Sequence, residues 1–185
     1  MFVPFALTQL FANCAPAVGS TTMSAVVVYE SGAHANAIGD NTTRRSYFPT
    51  DRAGAEALAT RLLRAGHNID AGYAQINSAN FATFGLNAGS VFDPCTNIST
   101  GSRILQSAYV AAARTYGPGQ LALMHALSAY NTGGFWAGLG YAHGVYATAA
   151  TLRYQGSPLA EGPAGRVRAV PFHRAAHRSR ASTAP

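Results

Sequence analysis

The sequence predicts a mainly helical domain with at most a small irregular β region. Three observations carry that reading. Apolar residues recur at steps of three and four within 53–65, 97–115 and 120–130. Gly66, Gly117-Pro118-Gly119 and the Gly-rich turn at 132–134 close those stretches. The segment 34–50 draws on Gly, Asp, Asn, Thr and Pro and reads as loops with at most short strands, and a second irregular stretch fills 66–77.

In chain order, residues 4–13 form a short apolar helix, broken by Pro16 and Gly19. Residues 20–31 are ambiguous by local preference: Ser20, Thr21 and Thr22 cap helices well, but Val26-Val27-Val28-Tyr29 is a β-branched run that favours a strand. Asp51 caps a helix over 53–65 with Ala57, Leu58, Leu62 and Ala65 on one face. A short helix at 79–84 ends at Gly85. The longest helix spans 97–115, where Ile98, Gly101, Leu105, Ala108 and Ala112 form one stripe. A helix at 120–130 aligns Leu123, Leu127 and Tyr130, and an Ala/Tyr/Gly-rich segment at 141–153 is the last. From Gly156 the composition shifts to Pro, Gly, Ser, Arg and Ala. The expected organisation is therefore a domain over 1–155 and a disordered basic tail over 156–185.

Composition excludes several classes of function. Hydrophobic residues make up 48% of the 185 and charged residues 11%, which suits a packed core. No apolar run approaches the roughly 18 residues that cross a bilayer, so an integral membrane protein is not expected. All 13 basic residues are Arg, which removes a P-loop lysine and any lysine catalysis. Through residue 150, 7 Arg face 6 acids, whereas from 151 onward 6 Arg face one Glu. The basic charge sits in the tail rather than on the folded body, which gives no footprint for nucleic acid. The cysteines, Cys14 and Cys95, have no CxxC or Cys/His ligand spacing, so neither metal nor cofactor is expected. They read equally as free thiols of a cytosolic protein or as one long-range disulfide of an exported one. The start, Met1 to Leu7, lacks a basic n-region and carries Pro4, so no signal peptide is evident in it.

Three short segments place polar groups inside apolar surroundings. In Tyr29-Glu30-Ser31-Gly32 a carboxyl ends an apolar run, where desolvation raises its pKa towards what a general acid needs. Gly72-Tyr73-Ala74-Gln75-Ile76-Asn77 places two amides after a glycine that permits close backbone approach, and amides suit the mixed donors and acceptors of sugars or peptides. Ala129-Tyr130-Asn131-Thr132-Gly133 sets a phenol and an amide at a helix end, a pattern that C-capping also explains. In this order the three resemble the Glu-Ser, Gly-x-x-Gln and Ala-Tyr-Asn signatures of lysozyme-like lytic transglycosylases, which cleave peptidoglycan. The likeness extends to the small transglycosylases of type IV secretion and conjugation systems through Gly39-Asp40-Asn41, Phe92-Asp93-Pro94-Cys95-Thr96-Asn97 and Cys14-Ala15-Pro16. It covers about 4–150 and departs at Tyr73-Ala74, where many relatives have Leu-Met.

The resemblance implies a lysozyme-like fold with helices around a sugar-binding cleft. It implies that 20–31 is a helix with Glu30 near its end, and that Cys14 and Cys95 form a disulfide in the periplasm. It implies Glu30 as the one catalytic acid and base, with Ser31, Gln75, Asn77, Tyr130 and Asn131 in substrate binding. Gln75 and Asn131 would hold acetamido and hydroxyl groups, Ser31 would orient the reacting sugar, and Tyr130 would sit against Glu30. The implied partners are peptidoglycan glycan strands and secretion-system components. Asp40 is the challenger for a second carboxylate, which would favour hydrolysis by water; an Asx turn accounts for it equally. The alternatives are a muramidase and a non-catalytic glycan-binding module.

Overall fold

The structure, a computed structural model, describes residues 2–154. The expected tail at 156–185 lies outside the described residues. The elements run β1 (Phe2–Val3), α1 (Phe5–Cys14), α2 (Ser20–Ser31), β2 (Ile38–Asp40), β3 (Arg45–Tyr47), α3 (Arg52–Arg64), β4 (Ile69–Ala71), β5 (Ile76–Asn77), α4 (Phe81–Phe84), α5 (Pro94–Tyr116), α6 (Gln120–Thr132), α7 (Leu139–Thr151) and β6 (Arg153–Tyr154). Helices dominate, as the periodicity predicts. The small sheet is antiparallel in the order β3-β2-β4-β5, and β1 pairs in parallel with β6.

The ambiguity at 20–31 resolves as a helix, for a reason that local preference does not contain. Met23, Ser24, Ala25, Val26 and Val27 are buried one after another. Five successive helical positions point in every direction around the axis, so α2 is enclosed on all sides. It packs against α1 and α7. Enclosure of each apolar side chain, about 1.5–3 kcal/mol, outweighs the few tenths by which β-branching disfavours a helix.

The longest helix begins at Pro94, earlier than the expected 97, so Cys95 and Asn97 lie in its first turn. Asp93 caps that turn through a 2.8 Å bond from the Thr96 amide, and Pro94 occupies a position where its missing N–H is harmless. Of the predicted stripe, Ile98, Gly101, Leu105 and Ala112 are buried and Ala108 is half-buried. In α3 the buried positions are Ala55 and Ala59, while the expected Ala57 and Ala65 are exposed; the apolar stripe is rotated because β4 and β2 meet the helix on the alanine side. The two cysteines form the Cys14–Cys95 disulfide, with Cα atoms 5.3 Å apart, joining the end of α1 to the start of α5.

Candidate active site

Glu30 occupies the last turn of α2. Gly32, in the left-handed region at φ 62°, ends the helix with its N–H on the carbonyls of Val27 and Val28. This turn carries the chain from α2 into the small sheet, and between the two lies a cleft of about 480 Å³. Glu30, Ser31 and Gly32 line it on the helix side, and Ile38, Ser46 and Phe48 on the sheet side, with Gln75 and His34 contributing as well. Among the described residues Glu30 is the one carboxylate in this lining.

The Glu30 carboxyl is held by a phenol. Tyr141, at the start of α7, donates to Glu30 Oε1 at 2.7 Å. Burial, then the charge of Glu30, pushes the Tyr141 phenol well above its ordinary value, so the donor stays protonated. Tyr29 meets the Tyr141 ring edge-on at 5.2 Å, and Tyr130 stacks on it at 6.4 Å. Tyr130 lies in the field of Glu30, and burial followed by that charge also holds its phenol well above the usual value. Its hydroxyl donates to the Ala74 carbonyl at 2.8 Å rather than to Glu30. Tyr130 thus lies near Glu30, and Tyr141 donates a hydrogen bond to the carboxyl.

Gln75 sits on a loop that Asn97 secures from below. Asn97 is 1% exposed, accepts from the Ala74 amide at 2.7 Å and donates to the carbonyls of Ala71 and Val91, both at 2.9 Å. Gly72 adopts φ 76°, and a Cβ there would lie 2.3 Å from Asn97 Nδ2, so glycine is required for this approach. Gly101 likewise makes room on α5 for Ala74 and the Tyr130 hydroxyl. Gln75 itself is held at φ 45°. Its Nε2 donates to Gly72 O at 2.8 Å and Ala37 O at 3.1 Å. Both amide hydrogens are engaged, which fixes the amide orientation and leaves Oε1 as the group Gln75 can present to a ligand donor.

Of the predicted residues, Glu30, Ser31 and Gln75 meet at the cleft, while Asn77, Tyr130 and Asn131 are not among its lining residues. Ser31 is buried, and its hydroxyl donates back to Val27 O at 3.0 Å, so it closes the helix end beside Glu30. Asn77 donates to Asp70 at 2.7 Å and to Asn68 at 2.8 Å, and its own Oδ1 caps the following turn. Asp70 also accepts from Asn41. Asp40 is buried and accepts from the Thr42 and Thr43 amides, the Thr43 hydroxyl and His67 Nδ1. Burial by itself would raise the Asp40 carboxyl, but these bonds, led by the Thr43 hydroxyl, hold it below its ordinary value. Asp40 is the anchor of an Asx turn, outside the cleft lining. Among the described residues no cluster of His, Cys, Asp and Glu has the composition of a metal site.

The family described as the transglycosylase SLT domain matches residues 9–137. The chain belongs to that family. The chain is 38% identical to the protein virB1 of Agrobacterium fabrum over 142 residues, 76% of this chain and 58% of that protein. It is also 38% identical to the type IV secretion system protein virB1 of Brucella abortus over 137 residues, 74% of this chain and 57% of that protein. The chain thus spans somewhat under three fifths of the length of these curated relatives. No solved structure gives a significant match.

Three residues that hold or line this SLT site carry no role in the sequence reading, Asn97 among them although it ends the Phe92-Asp93-Pro94-Cys95-Thr96-Asn97 stretch. Tyr141 falls in a segment legible only as a helix; its signal is a hydroxyl on the apolar face shared with Val145, where a buried phenol needs a partner. Asn97 is an amide next to Ile98 on the stripe of the longest helix, again a buried polar group that must be satisfied. Phe48 is an exposed aromatic in a loop-like stretch, with no pattern to mark it.

Proposed function

We propose that this chain is a peptidoglycan lytic transglycosylase. It cleaves the β-1,4 bond between N-acetylmuramic acid and N-acetylglucosamine with formation of a 1,6-anhydro ring. The observation that carries the reading is Glu30 in the cleft, fixed by Tyr141, while Asp40 and Asp70 are engaged by their own hydrogen bonds. Glycosidases that use water normally pair two carboxyl groups. Chemistry with one carboxyl group is possible when the substrate supplies the nucleophile. Glu30 gives its proton to the glycosidic oxygen as the bond to the muramoyl C1 breaks, and the neighbouring acetamido group supports the developing positive charge. The carboxylate then takes the proton from the muramoyl C6 hydroxyl as that oxygen closes on C1. One proton leaves Glu30 and one returns, and no water is consumed.

In this reading Tyr141 holds the carboxyl in one orientation through both transfers, and Gln75 Oε1 accepts from an acetamido N–H or a hydroxyl. Tyr130 and Asn97 set the position of the Gln75 loop. The disulfide and the wall substrate support a periplasmic site of action. The similarity to a type IV secretion system protein supports a role beside such an apparatus, opening the wall locally.

Replacing Glu30 with Gln retains the shape and removes the titrating proton. Turnover on isolated cell wall should fall by about 10²–10⁴, with binding of soluble glycan largely kept. Mass analysis of the released fragments provides the check. Anhydro ends from the unmodified protein support the reading, and reducing ends point to hydrolysis. Activity of Glu30→Gln within a few-fold of the parent would remove Glu30 from the role.

A further inference from the structure

We propose that Tyr29 and Gly144 act as a pair that positions Tyr141 against Glu30, which makes Tyr29 a positioning residue for the reaction. The inference rests on the reading of Glu30 as the acid and base, and it adds the contact that keeps the phenol partner in place.

Tyr29 and Glu30 are consecutive on α2, and both reach Tyr141 on α7. Glu30 accepts from its hydroxyl at 2.7 Å, and Tyr29 meets its ring at 5.2 Å with the planes 85° apart. The phenol is thus gripped at two points from one turn of one helix. A third contact comes from α6, where Tyr130 stacks at 6.4 Å and is tied through its own hydroxyl to Ala74 O at 2.8 Å. Tyr29 is held in another way, by the shape of α7.

Gly144 lies one turn after Tyr141 on the same face of α7. A Cβ there would fall 2.4 Å from Tyr29 Cε2 and 2.5 Å from both its Cζ and its hydroxyl oxygen, well inside contact distance. The tip of the Tyr29 ring therefore lies on the Gly144 backbone, while the same ring meets Tyr141 a turn earlier. Gly144 sits inside the helix with no positive φ, so no turn accounts for a glycine there. Glycine is disfavoured against alanine at such a position, and the room it leaves for Tyr29 is its packing reason.

The Tyr141 hydroxyl stands at the far end of its ring, so a small swing about χ1 carries it out of reach of Glu30. Tyr29 fills the space beside that ring. The titratable groups around Tyr141 are Glu30 and Tyr29 from α2 and Tyr130 from α6. Of these Glu30 is the carboxyl, and it is the group that registers a weakened donor.

The test reads the Glu30 carboxyl itself. The chain has three Glu, at 30, 56 and 161, so labelling glutamate Cδ for NMR gives few resonances and Glu30→Gln assigns the relevant one. A phenol that donates to a carboxylate favours it, so weakening that bond raises the midpoint. Tyr29→Ala should raise the Glu30 midpoint by roughly 0.3 to 1 pH unit, the counterpart of a roughly two- to tenfold weaker hold. Tyr29→Phe, which keeps the ring, should restore the parental midpoint. Gly144→Ala should shift it in the same direction as Tyr29→Ala, with the helix kept because alanine is the better helix former. In a Tyr141→Phe background neither Tyr29→Ala nor Gly144→Ala should move the midpoint further, since the donor through which they act has gone. A parental midpoint in both single variants, or a shift of undiminished size in the Tyr141→Phe background, overturns the proposal. Turnover should follow the same pattern, with kcat on cell wall roughly two- to tenfold lower in Tyr29→Ala and KM unchanged. The titration needs no turnover, so it decides this proposal separately from the mass analysis of wall fragments that decides the enzymatic reading.

Discussion

At Glu30 a single side chain is asked to be acid and then base, which demands a fixed orientation more than an extreme environment. Tyr141 provides it. Its phenol is held far above its ordinary value by burial and by the Glu30 charge, so it remains a donor throughout the neutral range. A hydrogen bond to a charged partner contributes about 1.5–3 kcal/mol. Tyr141→Phe should therefore lower kcat on cell wall roughly 10- to 100-fold with little change in KM. The alkaline limb of the pH–rate profile should move to higher pH, because a donor that favours the carboxylate has gone. A variant with parental kcat and an unmoved profile would show that Tyr141 only fills space.

Between residue and molecule, the β2–β3 turn and the helix α2 show how differently two elements reach their forms. The turn is local: Asp40 gathers the Thr42 and Thr43 amides, the Thr43 hydroxyl and His67, and the Asn41 and Asn68 side chains tie β2 to β4. Its pH dependence follows. The ordinary value for Asp40 is 3.8 and the folded value is lower, so its contribution to stability is complete above 3.8 and is lost as pH falls through the folded value. Asp40→Asn should be about 1–3 kcal/mol less stable at pH 7, and the gap to the parent should narrow as pH drops below about 4. Denaturant melts across that range measure it, and a gap constant with pH would mean that the Asp40 charge is irrelevant. The turn's Asx character is legible in Gly39-Asp40-Asn41, whereas the helical state of 20–31 is not legible in its local preferences. A β-branched run becomes helix only because α1, α7 and the remaining core enclose it.

Across the molecule, the bridge between Cys14 and Cys95 connects the first helix to the element that holds the site. Cys95 precedes Asn97 by two residues on α5, and Asn97 secures Ala74 and so the Gln75 loop. Closing a loop with a sequence separation of 81 stabilises by up to about 4–5 kcal/mol. Calorimetry with reductant, or of a Cys14→Ala/Cys95→Ala variant, should show Tm lowered on the order of 10 °C, since 1 kcal/mol moves a domain of this size by about 2–4 °C. A shift under about 2 °C would mean that packing of α1 on α5 already supplies the constraint.

The sequence by itself determined the helices with one-sided stripes, the glycine and proline stops, and the three polar segments in apolar settings. Each depends on side chains within one or two turns of one another, so periodicity and turn chemistry carry it. The tertiary structure decided the rest. Whether the two cysteines pair, which phenol meets Glu30 and how Asn97 fastens the Gln75 loop all depend on elements far apart in the chain. Tyr141 is 111 residues from Glu30 in sequence and 2.7 Å from it in space. Such contacts arise from the packing of α2 against α7 and of α5 beneath the sheet, where burial energy summed over the whole core sets positions that no local preference specifies.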